Sequence, residues 1–200
     1  MLLISFNVSA DSDFDKGFNA VKGQNYKEAV KWYKKSAEQG DVEAQLNLGF
    51  MYANGQGVLK DDQETFKWYK KSADKGYAPA QYNLGLMYHN GRGVLKDNKE
   101  AVKWYKKSAE QGVAEAQFNL GLMYANGQGV LKDYKQAVKW YKKSAEQGDA
   151  QAQYGLGLMY CFGTGTLKDL KKCSYWAQKA DANGYDVKKL WEQFELWKHK

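Results

Sequence analysis

The spacing of tryptophan constrains the fold of this 200-residue chain more than any other feature, because five of its seven tryptophans recur at a 36-residue interval. These are Trp32, Trp68, Trp104, Trp140 and Trp176. Comparison of residues 26–61 with residues 98–133 finds 31 of 36 positions identical. A fixed period between roughly 20 and 50 residues is typical of repeat architectures, in which each unit packs only on its neighbours. The chain is therefore expected to form a stack of similar units.

Each repeat contains two predicted helices, here named helix A and helix B. In the copy 98–133, a helical wheel places the lysines and glutamates of helix A on one side. The opposite, inward side carries Ala101, Val102, Trp104, Tyr105, Ser108 and Ala109. Gly112 is expected to end helix A in a left-handed conformation. Helix B is predicted over Ala114–Asn126, and Asp133 is expected to cap the next helix A.

Helix B is predicted to be apolar on two sides. One arc around Leu120 forms the expected core between helices, and Gly121 on this arc permits a close approach of backbones. The other side carries Phe118, Leu122 and Ala125 beside polar residues. A helix of this kind is either sandwiched between neighbours or lines a groove. Both alternatives fit an all-α, right-handed α/α superhelix of 36-residue repeats.

The predicted organisation has seven segments. They are a leader at 1–11, an N-terminal helix within 12–25, four repeats at 26–61, 62–97, 98–133 and 134–169, and a degenerate fifth repeat with a capping helix at 170–200. The capping helix is predicted over Asp186–Lys198.

Composition narrows the function classes. Apolar residues make up 44% and charged residues 26%, which is typical of a globular chain without a membrane-spanning segment. Twenty glycines against one proline fit helices that end at glycine. Two cysteines and two histidines are too few for a structural zinc site, so no metal or cofactor is predicted.

The repeat pattern resembles the Sel-one-like repeat (SLR) family, which is related to tetratricopeptide repeats. The shared positions run Ala-x-x-x-Trp-Tyr-Lys-Lys-Ser-Ala-Glu-x-Gly in helix A and Ala-Gln-x-Asn-Leu-Gly-x-Met-Tyr-x-Asn-Gly in helix B. The resemblance covers residues 12–200. It implies an α-solenoid that acts as an adaptor, holds a protein or peptide on its concave face and is a monomer.

The candidate binding site is the exposed side of helix B, where apolar and asparagine side chains repeat. Asparagine can donate to and accept from an extended peptide backbone, while apolar positions take anchoring side chains. The alternative is that the apolar stripe packs on the neighbouring helix and that the asparagines belong to the repeat pattern. Beside Leu46, the predicted site comprises Asn47, Phe50, Tyr82, Asn83, Leu86, His89, Phe118, Asn119, Leu122, Tyr154 and Leu158.

Two other functions are weaker alternatives. The net charge of +7 suggests an electrostatic binder of anionic polymers or lipid surfaces, but 29 of the 30 basic residues are lysine, which argues against nucleic-acid recognition. Ser72 and Lys75 match a Ser-x-x-Lys motif, and resemblance to cysteine-rich relatives implies β-lactamase-like or cell-wall hydrolase activity as an alternative. Ser72 occupies the position of Ser36 and Ser108 in other repeats, so a non-enzymatic function is predicted.

Residues 1–10 and the two cysteines bear on location. The stretch Met1–Ala10 ends in a small-x-small triplet before acidic residues and looks like the end of a signal peptide, which predicts a periplasmic or secreted bacterial protein. A cytosolic protein with an apolar tail is the alternative. Cys161 and Cys173 flank the loop between two helices, and exported relatives cross-link helices. The helical wheel places Cys161 away from Leu156, so free thiols are favoured over a disulfide.

Overall fold

A computed structural model describes residues 12–199, and every regular element in this range is helical, which confirms the all-α fold class. The elements in order are α1 (Asp13–Lys22), α2 (Tyr26–Glu38), α3 (Val42–Asn54), α4 (Asp62–Asp74), α5 (Ala78–Asn90), α6 (Asn98–Glu110), α7 (Ala114–Asn126), α8 (Tyr134–Glu146), α9 (Ala150–Phe162), α10 (Leu170–Ala182), α11 (Lys188–Phe194) and a 3₁₀ helix at Leu196–His199. The predicted leader at 1–11 lies outside the described residues.

Helix boundaries follow local capping chemistry. Asp133 caps α8 as predicted, since its carboxylate accepts a hydrogen bond from the Gln136 amide. Gly112 lies just after α6 and has a φ of 100°, a backbone conformation that only glycine adopts without strain. The predicted capping helix is shorter than expected, because Glu195 takes a positive φ of 47° and ends α11.

The chain divides into two compact units between Tyr77 and Ala78. In the N-terminal unit, α1 to α4 pack in sequence order around a core that includes Tyr33, Leu48 and Trp68. In the C-terminal unit, α5 to α10 also pack mainly on helices adjacent in sequence, and the last helices close on α10. Packing between consecutive helices is the arrangement of solenoid repeats, as predicted.

A glycine in helix B lets an aromatic ring approach closely. A Cβ atom on Gly121 would lie 2.7 Å from Cδ1 of Tyr141, and one on Gly85 would lie 2.6 Å from Cδ1 of Tyr105. The close approach predicted at Gly121 is therefore present: the nearest partner is the tyrosine ring of the next helix A, and the backbone carbonyl of Ala137 on that helix would lie 3.4 Å from the same Cβ atom. The tyrosine is fully packed because helix B has no side chain at this point.

The expectation of free thiols at Cys161 and Cys173 is wrong, because the two residues form a disulfide with Cα atoms 5.2 Å apart. Both residues are buried. The wheel argument failed because it treated only the Leu156 side of helix B as buried. In the preceding repeat, Ala125 occupies the Cys161 position and packs on the cluster that contains Ala137, the Cys173 equivalent. This side of helix B therefore faces the next helix A.

Candidate binding groove on the helix B face

The predicted apolar stripe is half-buried along the C-terminal unit. Its members lie in pairs on α5, α7 and α9: Tyr82 and Leu86, Phe118 and Leu122, Tyr154 and Leu158. Each pair also packs against a hydrophobic cluster of the structure. The two alternatives from the sequence are therefore both present, since one part of each side chain contributes to packing and another part stays open to solvent.

Aromatic rings line successive steps of the stripe. The Tyr82 and Tyr105 ring centroids lie 6.1 Å apart, and those of Phe118 and Tyr141 lie 5.7 Å apart. Contacts of this kind stabilise beyond the area that they bury. In the next repeat, Ala177 occupies the tyrosine position, and Tyr154 instead stacks on a tyrosine from the segment after α10, Tyr185, at 4.6 Å.

A groove of about 450 Å³ opens along this stripe between α7 and α9. Its volume lies within the range of roughly 300–1,000 Å³ that is common for ligand sites. No charged side chain lines it. The lining residues are Phe118, Leu122, Tyr141, Gln151, Tyr154, Gly155, Leu158 and Tyr185.

Burial raises the pKa of three tyrosines on this face. It raises the pKa of Tyr141 to about 12 and also raises the pKa of Tyr105. Burial is also the main cause that raises the pKa of Tyr82. A buried phenol resists ionisation because the charged form loses hydration. Since the residues that line the groove include no charged side chain, the groove presents an uncharged, aromatic and aliphatic surface.

The predicted asparagine series lies beside the groove and not in its lining. Asn83 and Asn119 are both half-buried, and Asn119 lies close to Tyr82. The fourth position of the series is Gly155, which lines the groove. The groove therefore lies where the asparagine series ends.

His89 lies apart from the groove. Its Nδ1 atom is 3.0 Å from Oδ1 of Asn98. Together with Asn119 and Leu122, it lines a small cavity of about 70 Å³. The structure therefore places His89 near part of the predicted site, but not among the residues of the larger groove.

The N-terminal unit carries the two remaining predicted residues. Asn47 on α3 is half-buried, and Phe50 on the same helix is 53% exposed. Phe50 occupies the repeat position of Leu86 and Leu122. A phenyl ring at this exposure offers apolar surface.

Lysines of helix A are largely engaged with neighbouring side chains. Lys107 Nζ lies 4.2 Å from the Trp104 ring centroid, and Lys143 Nζ lies 4.7 Å from that of Trp140. The Lys142 ammonium is also 3.7 Å from the Glu146 carboxylate. Exposed ion pairs of this kind contribute little individually to stability.

The Ser-x-x-Lys motif has a packing role. The buried Ser72 hydroxyl donates to the Val42 carbonyl at 2.7 Å, and Lys75 Nζ donates to the Gly40 carbonyl at 2.6 Å. Ser108 makes the equivalent bond to Ala78 at 2.8 Å. The hydroxyl at this position therefore ties helix A to the start of the preceding helix B. Among residues 12–199, no cluster of three or more metal-ligating side chains occurs.

Comparison with known families assigns the repeat. The Sel1 repeat family matches five consecutive stretches, 14–41, 42–77, 78–113, 114–149 and 150–185. The chain belongs to the Sel1 repeat family. Four of the matched stretches begin at a helix B and include the helix A that follows it, and the first begins on α1 and includes α2. Sel1 repeat proteins generally mediate protein–protein interactions and are typically non-enzymatic scaffolds.

Solved structures of Sel1 repeat proteins share this fold. A protective antigen of uropathogenic Escherichia coli with an SLR fold is 42% identical over 78% of this chain, with a TM-score of 0.76. The alignment spans only 33% of that antigen's length. A Sel1 repeat protein from Oxalobacter formigenes is 36% identical over 88% of this chain and 70% of its own, with a TM-score of 0.82.

A more distant similarity is to cysteine rich protein B of Helicobacter pylori. It is 27% identical over 64% of this chain and 92% of its own, with a TM-score of 0.52. No curated protein matches the chain.

The sequence-based site prediction missed four residues that line the groove: Tyr141, Gln151, Gly155 and Tyr185. Tyr141 belongs to the predicted core arc of helix A, and its ring edge reaches the groove from the core side. Gln151 starts a helix B and shows no pattern that distinguishes it from other polar positions. Tyr185 occupies the repeat position of Tyr77, Val113 and Asp149, and this variation in residue type leaves no pattern that could mark it as a groove residue.

Proposed function

We propose that this Sel1 repeat chain binds a protein or peptide segment through the groove between α7 and α9. The observation that carries the proposal is an uncharged groove of about 450 Å³ lined by half-buried apolar and aromatic side chains. Apolar anchors in such grooves supply binding energy, while nearby amides position the backbone. The segment would therefore present apolar side chains.

A selected peptide is the probe for this proposal. A phage library of random peptides is selected on the full chain, and the affinity of a fluorescein-labelled selected peptide is measured by anisotropy. Replacement of Phe118 and Asn119 by alanine is expected to lower its affinity at least about tenfold, because an aromatic anchor is typically a dominant contact. Affinity unchanged by this double replacement overturns the groove assignment.

A second variant separates groove occupancy from stability. Gly155→Asn places a side chain in the groove, and its Cβ atom would meet Cε2 of Tyr141 at 3.4 Å, an ordinary contact. This variant is expected to fold normally by circular dichroism and to lose the peptide. Tyr175→Ala, at a 51% exposed ring outside the groove, is the control and should bind as the wild type does. If Gly155→Asn binds the peptide as tightly as the wild type and Tyr175→Ala do, the proposal is rejected.

We further propose that the protein is exported to an oxidising compartment. The signal-peptide-like pattern in residues 1–10 and the Cys161–Cys173 disulfide support this location, because cystines persist mainly outside the reducing cytosol. Alkylation of thiols in the natively produced chain, with acid quenching before lysis, tests the proposal. Mass spectrometry should find both cysteines unmodified, and alkylation of both would contradict export.

A further inference from the structure

One leucine in each of four inter-helix loops is almost fully exposed. The loops connect a helix B to the next helix A, and the exposed fractions are 91% for Leu59, 89% for Leu95, 89% for Leu131 and 87% for Leu167. Single exposed leucines are common on protein surfaces. The recurrence of an exposed leucine at the same position of all four loops is a separate observation, because a side chain this exposed has no packing role that requires leucine.

The loops hold these leucines outward. In residues 127–133, the Gln128 amide donates to the Met123 carbonyl at 3.0 Å, and the Asp133 amide donates to the Tyr124 carbonyl at 3.0 Å. Gly129, with φ of 70°, lies so close to the Asn98 carbonyl that no Cβ would fit. Val130 then packs on the hydrophobic cluster that contains Leu120. With the loop fixed at both ends and Val130 partly buried, the leucine that follows is directed into solvent.

A lysine follows each exposed leucine, and charge accumulates around it in the C-terminal unit. The ten residues from Val130 contain three lysines and one acidic residue, and those from Thr166 contain the same numbers. The ten residues from Val94 contain three lysines and two acidic residues. The corresponding stretch of the N-terminal unit, from Val58, has two lysines and three acidic residues.

The aspartates of the three basic loops cap the helices that follow. The Asp97 carboxylate accepts from the Lys99 amide at 2.8 Å, and the Asp169 carboxylate accepts from the Lys172 amide at 2.9 Å. Asp133 caps α8 in the same way. Asp169 Oδ2 also lies 3.3 Å from Lys172 Nζ, so the outward charges of the loops are the exposed lysines that directly follow the leucines, Lys96, Lys132 and Lys168. An exposed ring, Tyr134, adds an amphipathic side chain beside Lys132, whose Nζ lies 5.5 Å from the ring centroid.

We propose that the loops 91–97, 127–133 and 163–169, here called the Leu-Lys edge, bind the C-terminal unit to an anionic phospholipid surface. The loops occupy equivalent positions in successive repeats and so lie along one edge of this unit. Isolated leucines insert into a fluid interface without matching pockets, and the adjacent lysines are attracted to anionic headgroups. A folded partner would need a separate pocket for each leucine. This binding is independent of the groove.

Vesicle sedimentation with the full chain tests the proposal. The probes are vesicles of phosphatidylcholine alone and vesicles that contain about 30% phosphatidylglycerol, since anionic lipid supplies the surface potential. Binding is expected only with the anionic vesicles and should weaken as salt is added. Absence of wild-type binding to the anionic vesicles at about 0.1 M salt overturns the proposal.

Leucine replacements distinguish insertion from charge alone. Changing Leu95, Leu131 and Leu167 to asparagine removes the apolar contact and retains every lysine, and vesicle affinity is expected to fall about 30-fold. Leu59→Asn is the matched control, because its loop has the same exposure but an acidic surround, and it should change affinity less than about twofold. Exposed loop positions should tolerate these changes, which circular dichroism checks.

Two results would identify a different occupant. If the triple asparagine variant binds anionic vesicles as the wild type does, the surface is a charge-only binder of polyanions and the proposal is wrong. If light scattering shows a wild-type oligomer that the triple variant loses, the leucines bind a second copy of this chain, and the proposal is also wrong. A parallel change of Lys96, Lys132 and Lys168 to glutamine should lower vesicle affinity on the order of 100-fold.

Discussion

The helix pairs α7–α8 and α9–α10 have the same positions in the repeat but stabilise them differently. In α7–α8, the Tyr141 ring covers Gly121, and alanines occupy positions 125 and 137. In α9–α10, the tyrosine position is Ala177, and cysteines replace both alanines. A Cβ atom on Gly157 would lie no closer than 3.6 Å to any neighbour.

This difference shows that the two pairs are held by different contacts. In α7–α8, an aromatic ring packs on a glycine. The pair α9–α10 lacks the buried tyrosine of helix A and has a covalent bond at a neighbouring position instead.

The largest expected effect is at the two equivalent glycines. Gly121→Ala should lower the free energy of unfolding by about 3 kcal/mol, because the new methyl group overlaps the buried Tyr141 ring. Gly157→Ala should raise it by up to about 1 kcal/mol through helix propensity, since there is room for the methyl group. Urea unfolding followed by circular dichroism measures both. Similar losses in the two variants would show that the ring does not set the difference.

Removal of the disulfide is expected to have the next largest effect. Changing Cys161 and Cys173 together to alanine reproduces the residues at positions 125 and 137 of the preceding pair. Stability should fall by roughly 2–3 kcal/mol, as expected when a short cross-linked loop is released. Thermal unfolding with and without reductant provides the control, since reductant should lower the wild type and leave the variant unchanged. A variant as stable as the oxidised wild type would contradict the role of the cross-link.

A third prediction extends the comparison to α3–α4 in the N-terminal unit. In α7–α8, Gln147 Nε2 donates to Gln117 Oε1 at 2.8 Å and to the Gly112 carbonyl at 2.9 Å. In α3–α4, Lys75 occupies the Gln147 position, and the buried Gln45 Oε1 atom has no hydrogen-bond partner. Lys75→Gln should restore the amide pair and raise stability by about 1 kcal/mol.

The reciprocal change tests the same interaction in the other direction. Gln147→Lys should leave Gln117 Oε1 buried without a donor and lower stability by roughly 1–2 kcal/mol. Both proteins are compared with the wild type by urea unfolding. An increase in stability for Gln147→Lys would show that the amide pair is not stabilising.

The smallest expected effect is at the start of helix B. The Asp149 carboxylate caps α9 and accepts from the Ala152 amide at 2.7 Å, whereas Val113 precedes α7 without a side-chain cap. Their backbone angles are nearly the same. Val113→Asp should stabilise the protein by about 0.5–1 kcal/mol and Asp149→Val should destabilise it by about 1 kcal/mol. Thermal unfolding checks both signs, and a loss in each variant would indicate that the Val113 side-chain contacts dominate.

The repeat unit could be predicted from sequence because its determinants are local. The bounds of α7 follow from the glycines that flank it and from apolar spacing within one copy, and the cap at Asp133 follows from a capping residue. The ring that covers Gly121 could not be assigned, because it comes from the following helix. A helical wheel describes one helix, whereas the burial of Gly121 and of Cys161 depends on a second helix.

The candidate groove was only partly predictable for the same reason. Phe118 and Leu122 belong to a stripe that recurs in sequence, so their common face could be recognised. Whether that face is open depends on which residues pack over it. On α9 these residues include Tyr185, which follows α10 and lies outside the helices. The space at Gly155 also depends on the absence of a side chain there. The repeat pattern shows this glycine only as a departure from the asparagine of the other repeats.

The buried amide series has a consequence for how arrays of this kind change length during evolution. Gln117 donates to the Ala109 carbonyl of the preceding helix and accepts from Gln147 of the following one. Every bond in the series thus joins immediate neighbours. Duplication of one 36-residue segment would supply both partners of each new bond, so a longer array could arise in one genetic step without any compensating substitution.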